Sequence, residues 1–161
     1  MQISKAMSDL MNAQIGNELG ASNQYLQIAA YFEGMALKKL GKMFDKQAAE
    51  EREHAMKFFH FLNEVGAPVT IPAIPAPKYD IASAEQAFKM AVAWEKEVTA
   101  QIYAMVDLAI KEKDHGSNNF LQWFVAEQVE EVSSMETYLQ VIQQAGEKNL
   151  LMMEAYLSHA D

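Results

Sequence analysis

Apolar residues recur along this chain at spacings of three and four, and four long windows each carry one such stripe. The first window predicts a helix from about Ser4 to about Phe32, ending near Gly34. Its seam, stepped by sevens, reads Met11, Glu18, Tyr25, Phe32, with Met7, Gln14, Ala21 and Ile28 beside it. A short turn around Gly34 to Lys39 leads to a second helix whose seam reads Phe44, Glu51, Phe58, Val65, beside Leu40, Gln47, His54 and Phe61. It stops at Gly66, a stop glycine followed by Pro68. So short a connection makes the first two helices antiparallel neighbours. The third helix opens on the capping box Ser83-Ala-Glu-Gln86 and runs to about Lys113, with Phe88, Glu95, Ile102, Ala109 in its seam beside Ala91, Val98 and Met105. Ser117 is the expected cap of the fourth, whose stripe of Leu121, Phe124, Gln128, Glu131, Met135, Tyr138 and Ile142 carries it to about Gln144.

All four prolines of the chain fall between Pro68 and Pro77. That stretch cannot be helix, and it is long for a structureless loop. Proline-rich chain extends by about 3.1 Å per residue, so residues 66 to 83 reach roughly 50 Å. The flanking helices are about 40 Å long at a rise of about 1.5 Å per residue. The stretch therefore spans the full bundle and starts the third helix parallel to the second: a crossover and not a linker between domains. After Gly146, Asn149 is placed to cap a short helix from Leu150 to about Ser158. Its apolar residues face too many directions for a free tail; it docks into a subunit interface or onto its own bundle. The expected fold class is all-α, one domain over residues 1–161: a four-helix bundle with a long crossover between the second and third helices and a short fifth helix.

The exceptions to the apolar pattern carry the chemistry. Glu18, Glu51 with His54, Glu95, and Gln128 with Glu131 each stand mid-seam, where apolar residues are expected. Glu51 and His54 are three residues apart, about 300° around a helix, so both leave one face about a turn apart. A carboxylate and an imidazole so placed can hold one metal ion. An isolated buried carboxylate is too costly, and four drawn together repel, so multivalent cations are what make the arrangement tolerable. Carboxylate-rich ligation with one imidazole favours iron or manganese over magnesium or calcium. Tyr25 shares the Glu18 stripe, either as an ordinary core tyrosine or as part of the site. Gly16 and Gly20 flank Glu18 and weaken the helix slightly, which a close approach of a neighbour would explain.

Composition narrows the classes. With 161 residues, half of them hydrophobic, the chain has the composition of a globular protein with a real core. A formal charge of −9 argues against nucleic acid or an anionic membrane as partner and suits cations. The absence of cysteine excludes disulfides, thiolate catalysis and cysteine-held clusters, and fits the cytoplasm. The first residues contain no apolar core of a signal peptide, no apolar run reaches membrane-spanning length, and no glycine-rich phosphate loop is present. His60, His115 and His159 show no ligand spacing.

Glu18 with Tyr25, Glu51-Arg-Glu-His54, Glu95, and Trp123 followed by Glu127-Gln128-Val-Glu130-Glu131 together resemble the bacterial non-haem ferritins, over essentially the whole chain. The resemblance implies a homo-oligomeric shell of 24 subunits in the cytoplasm that oxidises Fe(II) with O2 or H2O2 and stores the ferric mineral inside. It implies a first iron site from Glu18, Glu51 and His54, and a second from Glu51, Glu95 and Glu131, with Glu51 bridging and Gln128 hydrogen-bonding nearby. It further implies a third site from Glu50, Glu127, Glu130 and Glu131, with Tyr25 and Trp123 close enough to supply an electron. Bacterioferritins carry a second Glu-x-x-His where this chain has Gln128-x-x-Glu131, and a haem-binding methionine where it has Arg52, so no haem is expected. The alternative is a di-iron oxidase or peroxidase of the same superfamily that stores no iron.

Overall fold

A computed structural model describes residues 3–158. It contains four long helices, α1 (Lys5–Gly34), α2 (Lys38–Glu64), α3 (Ala84–Glu112) and α4 (His115–Ala145), then a 3₁₀ turn (Glu147–Asn149) and α5 (Leu150–Ser158). No strand occurs among the described residues. His159 lies outside them.

The buried apolar residues form two clusters. One joins the end of α1 (Tyr25, Ile28, Phe32) to the starts of α2 (Leu40, Phe44) and α3 (Ala84, Phe88) and the end of α4 (Met135, Ile142). The other joins the start of α1 (Met7, Met11, Ile15) to the ends of α2 (Phe58, Leu62) and α3 (Ile102, Met105) and the start of α4 (Leu121, Phe124). This pairing of ends makes α1 and α2 antiparallel and α2 and α3 parallel. Residues 67–83 carry the chain from one end to the other, as their length requires.

The crossover lies along α1 in register with it. Asn12 donates to Pro68 O (2.9 Å) and accepts from Thr70 N (2.6 Å), and Gln24 does the same for Lys78 O (2.9 Å) and Lys78 N (2.8 Å). Two amide side chains thus satisfy extended backbone that has no strand partner. Between them Gly16 makes room: a Cβ there would lie 2.3 Å from Pro72 Cγ. The close neighbour of Gly16 is therefore the crossover, while Gly20 faces the Trp94 ring of α3, 3.6 Å from where a Cβ would stand.

One helix start differs from expectation. Asp114, not Ser117, caps α4, accepting from Ser117 N at 3.0 Å. Ser117 lies inside the first turn, buried, and gives its own hydroxyl to Asp114 Oδ2 at 2.6 Å. Lys113 adopts a left-handed conformation (φ 56°) that reverses the chain three residues earlier than a serine cap would. α1 ends at Gly34, and Ala36 (φ 60°) is the left-handed residue of the α1–α2 turn. α5 packs on its own bundle through Leu150, Met153 and Leu157, yet leaves Leu151, Met152 and Tyr156 exposed on its other side.

Candidate metal centre

Between the two apolar clusters lies a polar layer. Glu18 and Gln14 come from α1, Glu51, His54 and Gln47 from α2, Glu95 from α3, and Gln128 and Glu131 from α4, and all are buried. The heptad step places these side chains at mid-helix on inward faces, and the bundle brings the four helices together there. Three groups converge, each offering ligand atoms within 4.8 Å of one another: Glu18, Glu51 and His54; Glu51, Glu95 and Glu131; and His54, Glu127 and Glu131.

His54 Nδ1 lies 3.2 Å from Glu51 Oε2, and its Nε2 is 3.9 Å from Glu127 Oε1. Tyr25 donates its hydroxyl to Glu95 Oε1. Thr99 Oγ1 lies 2.9 Å from Gln128 Oε1 and 2.7 Å from the Glu95 carbonyl oxygen. Gln14 donates to Glu18 Oε1 at 2.9 Å, and Asn17 links Gln14 (3.3 Å) to Gln101 (3.1 Å) at a surface cavity of about 370 Å³. The second oxygens of Glu18 and Glu95 are buried with no hydrogen-bond partner among the described residues. Orphaned carboxylate oxygens in a dry interior are costly unless something positive fills the space they face. The donor set around them, carboxylates and one imidazole, fits a borderline divalent cation.

The electrostatics agree. Burial, then the Glu51 charge, raises the Glu18 pKa well above the usual carboxylate range. Burial and the Glu51 charge push Glu95 up to about 8, with hydrogen bonds from Tyr25 and Gln128 acting the other way. Glu131 also reaches about 8, through burial and the charges of Glu95 and Glu51. Burial would lower the His54 pKa, but its contact with Glu51 and the charges of Glu131 and Glu127 raise it on balance. Burial, then Glu95 and Glu51, holds Tyr25 as a neutral phenol. Without cations, the layer reduces its own repulsion by keeping protons.

The outward-looking group is assembled differently from the third set expected from sequence. Glu127 and Glu131 join His54, whereas Glu50 is half-buried with Lys46 Nζ at 3.5 Å, and Glu130 is exposed. Trp123 stands edge-on to the His54 ring at 5.4 Å, 41 % exposed, with Lys57 Nζ 4.2 Å above it. Gln14, Gln47 and Thr99 were not among the candidates. The two glutamines had a visible signal: each interrupts a seam four residues before the acid of its helix. Thr99 had none.

A carboxylate-rich centre at the waist of a crossover four-helix bundle defines a class of metal-handling helical proteins. Residues 8–145 match the ferritin-like domain family. The chain is 34 % identical over 145 residues to a bacterial non-heme ferritin of Staphylococcus aureus, covering 90 % of this chain and 87 % of that one. A bacterial non-heme ferritin of Staphylococcus haemolyticus is equally similar, at 34 %. Among solved structures, an open pore ferritin from the archaeon Archaeoglobus fulgidus superposes with a TM-score of 0.93 at 37 % identity, covering 97 % of this chain and 96 % of that one. An engineered closed form of the same ferritin gives 0.92 at 37 %. The chain belongs to the ferritin family.

Proposed function

We propose that this protein stores iron and that its buried layer is a ferroxidase centre. Iron is the substrate and the cargo. Glu18, Glu51 and His54 bind the first Fe(II); Glu51, Glu95 and Glu131 bind the second, with Glu51 shared between them. Each Fe(II) gives up one electron, and the pair reduces O2 to peroxide or H2O2 to water. The carboxylates favour the higher charge of the product because their negative charge is already fixed in place and desolvated. His54, Glu95 and Glu131 release protons as iron binds. Glu127, next to His54 and Glu131 on the outward side, offers the product a first stop on leaving, with Glu50 and Glu130 beyond it. Tyr25, a neutral phenol hydrogen-bonded to Glu95, and Trp123, edge-on to His54, are the aromatic groups near enough to lend an electron.

The observation that carries this reading is the pair of orphaned carboxylate oxygens, on Glu18 and Glu95, inside a layer where every helix of the bundle contributes an acid. The test is Glu51→Ala, which removes the carboxylate common to both sites. Stopped-flow oxidation of Fe(II) should slow by at least about a hundredfold, since even residues that only support a ligand cost 10–100-fold. Oxidation at the parent rate would remove the reading. We further propose that the chain assembles into a 24-subunit cage in the cytoplasm. Light scattering separates that cage from a dimer, which would instead favour a di-iron oxidase without a store.

A further inference from the structure

Gln47 has no part in the ligand sets above, yet its surroundings are not those of an ordinary core glutamine. It is 8 % exposed and sits one turn before Glu51 on α2. Its Nε2 reaches two carboxylates at once, Glu131 Oε2 on α4 at 2.6 Å and Glu51 Oε1 at 3.2 Å. An amide nitrogen carries two protons, so both bonds can form together. Glu51 has a second anchor in His54 Nδ1. Glu131 belongs to two convergent groups, one inward with Glu51 and Glu95, the other outward with His54 and Glu127. Among the described residues, the hydrogen bond that Glu131 receives comes from Gln47.

Resting on the reading of Glu51, Glu95 and Glu131 as the second iron site, we infer that Gln47 is a positioning residue. It holds the Glu131 carboxylate on the inward side, beside Glu51, and so sets the affinity of the second site against that of the outward group. A glutamate side chain has rotamer freedom to lose on binding an ion, and one already held in place loses less. A neutral amide does this without adding a charge that would compete with a cation. The bond also ties α2 to α4 at the level of the site, so Glu131 moves with the helix that carries Glu51 and His54.

The test is anaerobic titration with Co(II), followed by its visible absorption and by calorimetry, which resolves the ions bound without any oxidation. Gln47→Met keeps the length and the apolar stem and removes both N–H donors. The second ion should bind about tenfold more weakly in this variant, the low end for a hydrogen bond to a charged group. The first ion, held by Glu18, Glu51 and His54, should stay within roughly threefold, because Glu18 is untouched and Glu51, though it loses one donor, keeps its contact with His54 Nδ1. Should the methionine variant fail to fold, Gln47→Asn keeps the amide but shortens it by one methylene, and reads the same split. Two ions bound with the affinities and spectrum of the parent protein would overturn the inference. So would a tighter second ion, which would mean that the amide competes with the metal. Parent protein that takes up no Co(II) would sink the metal centre itself, and this inference with it.

Discussion

At the scale of single residues, the centre is a balance between burial, which favours protons on the carboxylates, and donors that favour their ionisation. Tyr25 shows it most directly. Its ring packs 5.8 Å from that of Phe44, while its hydroxyl serves Glu95. Tyr25→Phe keeps the first contact and removes the second. The metal-free protein should lose about 1 kcal/mol, the ordinary net contribution of one hydrogen bond. Because that bond lowers the Glu95 pKa, removing it should carry the pKa above about 8. The pH midpoint of Co(II) uptake should then move to higher pH, as a titration at several pH values would show. An unmoved midpoint would mean that Glu95 does not limit binding.

At the scale of elements, α5 and the turn before it add caps to the starts of two other helices. Leu37 stands at the start of α2 and offers no side-chain cap. Glu154 of α5 supplies it, accepting from Lys39 N at 2.9 Å and Leu40 N at 2.8 Å. Glu147 does the same for α3, alongside Ser83, by accepting from Ala84 N (3.2 Å) and Glu85 N (2.9 Å). Negative charge at a helix N-terminus is favourable, so α5 and the turn before it act as a clamp on one end of the bundle. Glu154→Ala should cost about 1 kcal/mol, typical of a lost cap. It should also expose α5 to limited proteolysis near Leu151 and Tyr156 while leaving Co(II) affinity unchanged. An α5 that stays protected would show that Leu150, Met153 and Leu157 suffice to hold it.

At the scale of the whole molecule, charge and proton uptake act together. Glu95 and Glu131 have folded pKa values of about 8, far above those of exposed carboxylates, so the folded protein holds protons the unfolded chain has released. Stability from this source is complete at acid pH and is lost as pH rises through about 8. His54, also raised, acts in the same direction, as does self-repulsion from a formal charge of −9. The thermal midpoint of chelator-treated protein should therefore fall between about pH 6 and about pH 9. Divalent cation should flatten or reverse the trend and release protons on binding, measurable by calorimetry in buffers of different ionisation enthalpy. A metal-free midpoint that rises over this range would contradict the account. No helix among the described residues is long and apolar enough to cross a membrane, and α5 exposes Leu151, Met152 and Tyr156 on its outer side.

The helices, the crossover and the four inward acids were legible in the linear chain because each depends on local rules. Period fixes which face a residue takes, proline forbids helix, and loop length against helix length decides whether a connection can cross. An acid in an apolar seam is visible for the same reason: burial of the stripe is predictable before its partners are known. What the chain could not show is how the acids meet. That Glu131 is shared between an inward and an outward group, and that Gln47 holds it from another helix, depends on distances between helices far apart in sequence. The start of α4 was a local choice between near equals, since Asp114 and Ser117 are comparable caps and the reversal at Lys113 chose between them. Local periodicity sets direction around one helix axis, and only packing sets the ångströms between axes, which is where ligation and hydrogen bonding are determined.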